Sequence, residues 1–170
     1  MYKLDFDMHF NLITWNVIFW GIKNDIITPD CAVHYAHKLI EKNICDNDDT
    51  LVEILILENP QKNEILKLIK RMYSYDSSKK DISINILRYI ILDGLRQSEK
   101  NNKIVLENIE NIYVDFDYPE DMKSFISYMP VEDDTYEPSN HTEEENEQRL
   151  IDKFNVFLTD ELNRIVNHTL

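Results

Sequence analysis

The chain has 170 residues, with 18 Lys/Arg against 32 Asp/Glu and a net charge of −14, and this length suits one domain with a sizeable core. Apolar residues make up 43% and aromatic residues 11%, which excludes a disordered acidic tail. Two glycines in the whole chain exclude glycine-rich phosphate loops and argue against a multi-stranded antiparallel fold, whose turns lean on positive φ.

The N-terminus, Met1 to Asp7, lacks the basic start and long apolar core of a signal peptide. Leu12 to Ile22 is too short to span a bilayer. A cytoplasmic location is therefore expected, with no membrane contact and with Cys31 and Cys45 reduced. Leu12, Trp15, Phe19 and Ile22 step by helical intervals and predict a first helix over about 10–24, widened by Val17, Ile18 and Trp20. Thr28-Pro29-Asp30 supplies a cap, a first-turn proline and an acid for a second helix, which carries Ala32, Tyr35, Ala36, Leu39 and Ile40. Leu51 to Leu57 reads as helix or buried strand, with helix favoured by its Asp-rich start. Asn59-Pro60 predicts the start of the next helix, with Ile65, Ile69, Met72 and Tyr73 inward.

Ser77 to Arg96 predicts a longer helix with two apolar rows, Ile84, Leu87, Ile91 and Leu95 beside Ile86 and Ile90, near the centre of the packing. Asn101-Asn102 interrupts it, and Val105, Ile109, Ile112 and Phe116 mark the following one. A short helix is expected over Pro119 to Met129 with Met122, Phe125 and Ile126 inward. Residues 130–141 read as an exposed acidic loop. Thr142-Glu143-Glu144-Glu145 has the capping-box form and opens a last helix on Ile151, Phe154, Leu158, Leu162 and Ile165. The expectation is an all-α single domain spanning 1–170. Its seven or eight short helices would form an irregular array, either an orthogonal bundle or a HEAT-like solenoid.

No catalytic motif accompanies these elements, so a non-enzyme is expected, with no cofactor. Cys31, His34 and His37 do not follow a zinc spacing. Asp115-Phe116-Asp117 begins like a calcium loop but has Glu120 where the sixth-position glycine belongs, and no metal is expected. The net charge repels phosphate and disfavours nucleic-acid binding. The acids are gathered in one place: residues 104–148 hold 14 acids against the single base Lys123, residues 1–103 net −1 and residues 149–170 net zero. Glu143 to Glu145 suit a helix N-terminus, and Glu107 and Glu110 suit a solvated helix face. The loop acids Glu132, Asp133, Asp134 and Glu137 have no such use and are interleaved with Tyr128 and Tyr136. Such a surface can steer a basic protein. Asp115, Asp117, Glu132, Asp133, Asp134, Tyr136 and Glu137 are the candidate partner contacts.

Ile13-Thr14-Trp15-Asn16-Val17-Ile18-Phe19-Trp20-Gly21, with Ile27-Thr28-Pro29-Asp30 and Ala36-His37-Lys38-Leu39-Ile40, resembles an uncharacterised bacterial family of unknown function, DUF2247. The likeness is strongest over about residues 10–60 and carries no catalytic residues. In size and acidity that family is similar to immunity proteins of contact-dependent and polymorphic toxin systems. The resemblance implies an immunity protein whose partner is a cognate toxin domain, a basic nuclease with an RNase favoured. The alternative is a general protein-interaction module that holds a basic partner or peptide.

Overall fold

The computed structural model describes residues 1–44, 49–72, 74–131 and 135–169. Among these residues the chain is all-α, with seven α-helices and four short 3-10 helices. The described part holds no strand, only a lone parallel bridge between Tyr2 and Ile27. Its contacts gather into two compact units, Met1–Ile91 and Leu92–Leu170.

The N-terminal unit contains α1 (Trp15–Lys23), α2 (Asp30–Glu41), α3 (Asp49–Leu55), α4 (Lys62–Arg71) and the first part of α5 (Lys80–Ser98). Helices α1 and α3 each pack against both α2 and α4. The single helix expected over 10–24 is split. Thr14 is extended, and its Oγ1 accepts the Val17 N–H at 3.4 Å, so α1 begins at Trp15 and Phe10–Leu12 forms a separate 3-10 turn. A threonine there serves better as a cap than as a link in the stripe. Every residue from Trp15 to Ile22 is buried, as the widened stripe predicts. The ambiguous run after residue 48 is helix α3, with Thr50, Leu51 and Ile54 buried.

Helix α4 starts two residues beyond Pro60. Gln61 is extended at its N-cap, and the Gln61 carbonyl accepts the Ile65 N–H at 3.0 Å. Pro60 and Ile65 are both buried and occupy the two positions of a hydrophobic staple, which fixes the entry of the chain. Ile65, Ile69 and Met72 face inward as expected; Tyr73 lies outside the described residues. On α2, Tyr35, Ala36 and Leu39 are buried, whereas Ile40 is exposed. Ser77–Lys79 is a 3-10 turn capped by Asp76, which accepts the Ser78 N–H at 2.9 Å, and α5 proper begins at Lys80. Residues 86 to 92 are buried without interruption, Ile86, Leu87, Ile90 and Ile91 among them, whereas Ile84 and Leu95 at the ends of the expected row are half-buried.

Three helices stop without glycine. Asp25, Asn43 and Asp117 take φ values of 58°, 56° and 62°, the left-handed stop that glycine usually provides. Each has the paired bonds of a Schellman motif: Ile26 N–H to Gly21 O at 3.0 Å with Asp25 N–H to Ile22 O at 3.2 Å; Ile44 N–H to Leu39 O with Asn43 N–H to Ile40 O, both 2.9 Å; and Tyr118 N–H to Tyr113 O at 2.9 Å with Asp117 N–H to Val114 O at 3.0 Å. Short polar side chains tolerate this region best after glycine.

The C-terminal unit contains the end of α5, α6 (Asn102–Asp115), a 3-10 helix over Glu120–Phe125, and α7 (Glu143–Thr169). Asn101 caps α6 by accepting the Lys103 and Ile104 N–H groups. Helix α7 packs against both α6 and the 3-10 helix. Val105, Ile109 and Ile112 are buried, and Phe116 is half-buried. The short helix expected after Pro119 has the narrower 3-10 form, which suits Met122 and Phe125, three residues apart. Phe125 meets Phe154 and Phe157 at 5.4 and 5.1 Å between ring centroids. On α7, Ile151, Phe154, Leu158 and Ile165 are buried as predicted, but Leu162 is exposed and Glu161 takes the inner position. The buried row therefore runs 151, 154, 158, 161, 165, alternating steps of three and four. No helix among the described residues is long and apolar enough to cross a membrane.

Candidate functional site

The boundary between the two units is also a boundary in charge. Residues 1–91 hold 11 basic and 13 acidic residues, whereas residues 92–170 hold 7 and 19, so the C-terminal unit carries −12 of the total −14. Candidate partner contacts all lie in that unit. Asp115 closes α6 and Asp117 forms its left-handed stop, and both are exposed. The residues that look like half a calcium loop are thus a helix terminus. Glu137 is exposed and precedes a 3-10 turn over Pro138–Asn140, accepting the Ser139 hydroxyl at 3.1 Å. Glu132, Asp133 and Asp134 lie outside the described residues.

Tyr136 is half-buried and bound into the unit. Its hydroxyl donates to Asn146 Oδ1 at 2.7 Å, its ring stacks on His141 at 4.5 Å and 7°, and the Arg149 guanidinium lies 4.1 Å from the ring centre. Asn146 and Arg149 belong to α7, so this tyrosine straps the preceding loop to the helix. The capping box beneath it is complete: the Thr142 N–H donates to Glu145 Oε2 at 2.9 Å and the Glu145 N–H donates to Thr142 Oγ1 at 3.2 Å. The Thr142 N–H holds the Glu145 carboxyl below its ordinary range.

A groove of about 590 Å³ runs between α6, the 3-10 helix and α7. Leu106, Ile126 and Leu150 contribute apolar surface to it. Glu107, Glu110, Glu143 and Glu147 line it together with Lys103, Lys123, Arg149 and Lys153. Lys103 reaches Glu143 at 3.0 Å, and this contact raises the lysine pKa. Lys123 is bound to Glu120 at 2.7 Å. The groove is therefore balanced in charge, and the surplus acids of the unit lie outside its walls.

Sequence reasoning overlooked Tyr118 and treated Glu110 as an ordinary solvated acid. Tyr118 and Tyr128 are 52% and 56% exposed, a high value for aromatic side chains and therefore candidate contact surface. The Ser127 hydroxyl donates to Glu110, which brings the residue before Tyr128 against α6. Partial desolvation of the phenol, and after it the Glu110 charge, raises the Tyr128 pKa. Pro119 was the available signal, since the residue before a proline is disfavoured in helical backbone and Tyr118 therefore lies beyond the end of α6.

Elsewhere, the Cys31 thiol is buried against Thr28 Oγ1 at 3.9 Å, and burial pushes its pKa up. Cys45 lies outside the described residues. No group of three or more His, Cys, Asp or Glu among the described residues is placed to hold a metal. The fold and site define an all-α protein whose acidity is concentrated in its C-terminal unit. The chain belongs to the DUF2247 family, an uncharacterised protein family conserved in bacteria, whose family model matches residues 4–162. No curated protein and no solved structure matches it.

Proposed function

We propose that this protein is an immunity protein that binds and neutralises a cognate bacterial toxin domain, a basic nuclease with an RNase favoured, in the cytoplasm. The observation that carries this reading is the separation of charge, with −12 on residues 92–170 and −2 on residues 1–91. A concentrated negative field speeds encounter with a basic protein and orients it before contact. Asp115, Asp117, Glu137 and the loop acids Glu132, Asp133 and Asp134 are the steering groups. Tyr136 is tied to α7 through Asn146 and Arg149.

The test is co-expression with the toxin domain encoded next to this gene, followed by co-purification and growth rescue. Wild type is expected to co-purify and protect. Reversing Glu132, Asp133, Asp134 and Glu137 to Lys is expected to slow association and weaken its salt dependence, with helicity unchanged. Absence of a complex, or of protection by the wild type, would refute the immunity reading. The groove of about 590 Å³, with apolar surface from Leu106, Ile126 and Leu150, favours a second reading, a general interaction module that seats a peptide. That reading predicts peptide binding lost on filling the groove at Leu106 or Leu150, without toxin protection.

A further inference from the structure

Helix α6 ends on a stop that raises an aromatic ring from the surface. Asp117 and then Tyr118 take φ values of 62° and 57°, and Pro119 follows with φ at −63°. Asp tolerates the left-handed region, but a bulky aromatic there is a genuine outlier. Such backbone persists only where its surroundings hold it, and it gathers at binding surfaces. The Tyr118 ring stands edge-on to Tyr113 at 5.3 Å and 87°, the apolar contact expected across a Schellman stop.

Tyr113 is fully buried, and among the described residues its hydroxyl has no hydrogen-bond partner. Tyr128, more than half exposed, lies near Glu110, Tyr113 and Tyr118. Glu110 is anchored beside it by the Ser127 hydroxyl. One carboxylate and two exposed rings therefore lie together within the most acidic part of the chain.

We infer that Tyr118, Tyr128 and Glu110 form a seat for an arginine side chain of a basic protein partner. The inference rests on the reading that the partner is basic. A guanidinium is planar and stacks on aromatic faces, has five N–H donors and accepts nothing. Glu110 supplies the opposite charge and the oxygens that accept from the guanidinium. A lysine ammonium would gain the charge but not the planar stacking.

Titration calorimetry of the full chain with deca-arginine and deca-lysine peptides tests this seat. The two peptides share one charge, so the diffuse field of the C-terminal unit attracts them equally. The expected result is about tenfold tighter binding of the arginine peptide, in line with two ring contacts. In Y118A/Y128A, which leaves the net charge unchanged, that preference should disappear while the lysine affinity stays within about twofold. Circular dichroism confirms that the variant is folded. Equal affinity of wild type for both peptides, or an arginine preference that survives the double substitution, overturns the seat. Toxin rescue separates the two readings: a seat that fails while protection persists leaves the immunity role standing. Failed protection with the arginine preference intact leaves a seat for another basic partner.

Discussion

Both glycines lie inside helices, yet a methyl group added at each would meet opposite surroundings. At Gly21 the new Cβ would lie 2.7 Å from Ile27 Cδ1, 2.8 Å from Ile27 Cγ1 and 3.0 Å from Leu87 Cδ2. Ile27 and Leu87 are themselves buried, so neither yields without moving the core. At Gly94 nothing lies within 4 Å. Gly21→Ala should therefore cost about 1–3 kcal/mol through overpacking, against a helix-propensity gain of about 1 kcal/mol. Gly94→Ala should stabilise by about 0.5–1 kcal/mol. Urea unfolding of the two variants measures both, and equal signs would contradict the packing at Gly21. At this scale the glycine count was legible as a mark of helical structure. The replacement of glycine at helix stops was not. Asp25, Asn43 and Asp117 look like ordinary loop residues, because left-handed backbone is fixed by where the preceding helix must end, and that depends on packing.

Helix α7 shows which elements could be read in advance. Its capping box was visible as Thr142 and Glu145, and both reciprocal hydrogen bonds are present. Thr142→Ala should cost about 1 kcal/mol at neutral pH. The cap also has a pH signature. The Thr142 N–H, the largest cause, lowers the Glu145 pKa below its ordinary 4.5. The folded carboxyl therefore releases its proton more readily than the unfolded one, so its contribution is present above pH 4.5 and is lost as pH falls through the folded value. Stability measured above and below that point should fall less steeply in Glu145→Gln, whose amide oxygen still reaches Thr142 without titrating. An unchanged acid slope would exclude the cap as its origin. Less legible was the inner row of the same helix, where buried Glu161 displaces Leu162. Residue type favours leucine inside, but alternating steps of three and four from Ile151 lead to residue 161. Likewise Thr14 and Gln61 set the starts of α1 and α4, because a cap or staple outranks an apolar stripe.

Across the chain, the charge division was the strongest signal in the sequence, and its coincidence with the structural units was not available there. The 104–148 cluster falls wholly within the C-terminal unit, which also contains the compensating bases Arg149, Lys153 and Arg164. Clustered like charge acts on folding and on binding with opposite signs. Self-repulsion within residues 92–170 opposes the compact state, so screening should stabilise the folded protein. The same screening weakens attraction to a basic partner. The Debye length shrinks from about 30 Å at low ionic strength to about 8 Å near physiological salt, and the first of these exceeds the spacing between neighbouring surface acids. Raising sodium chloride across that range should therefore raise the melting temperature of the free protein and lower its affinity for a deca-lysine peptide. The ion pairs Lys103–Glu143 and Lys123–Glu120 are exposed and weaken with salt, but exposed pairs contribute little, so the net sign is set by the surplus of acids. Charge reversal at Glu132, Asp133, Asp134 and Glu137 should flatten both salt dependences together, because the unit would change from −12 to −4. If only the affinity curve flattened, the loop acids would belong to the partner surface without straining the fold. If neither changed, the field would arise from the acids of α6 and α7, and the loop would have no part in steering.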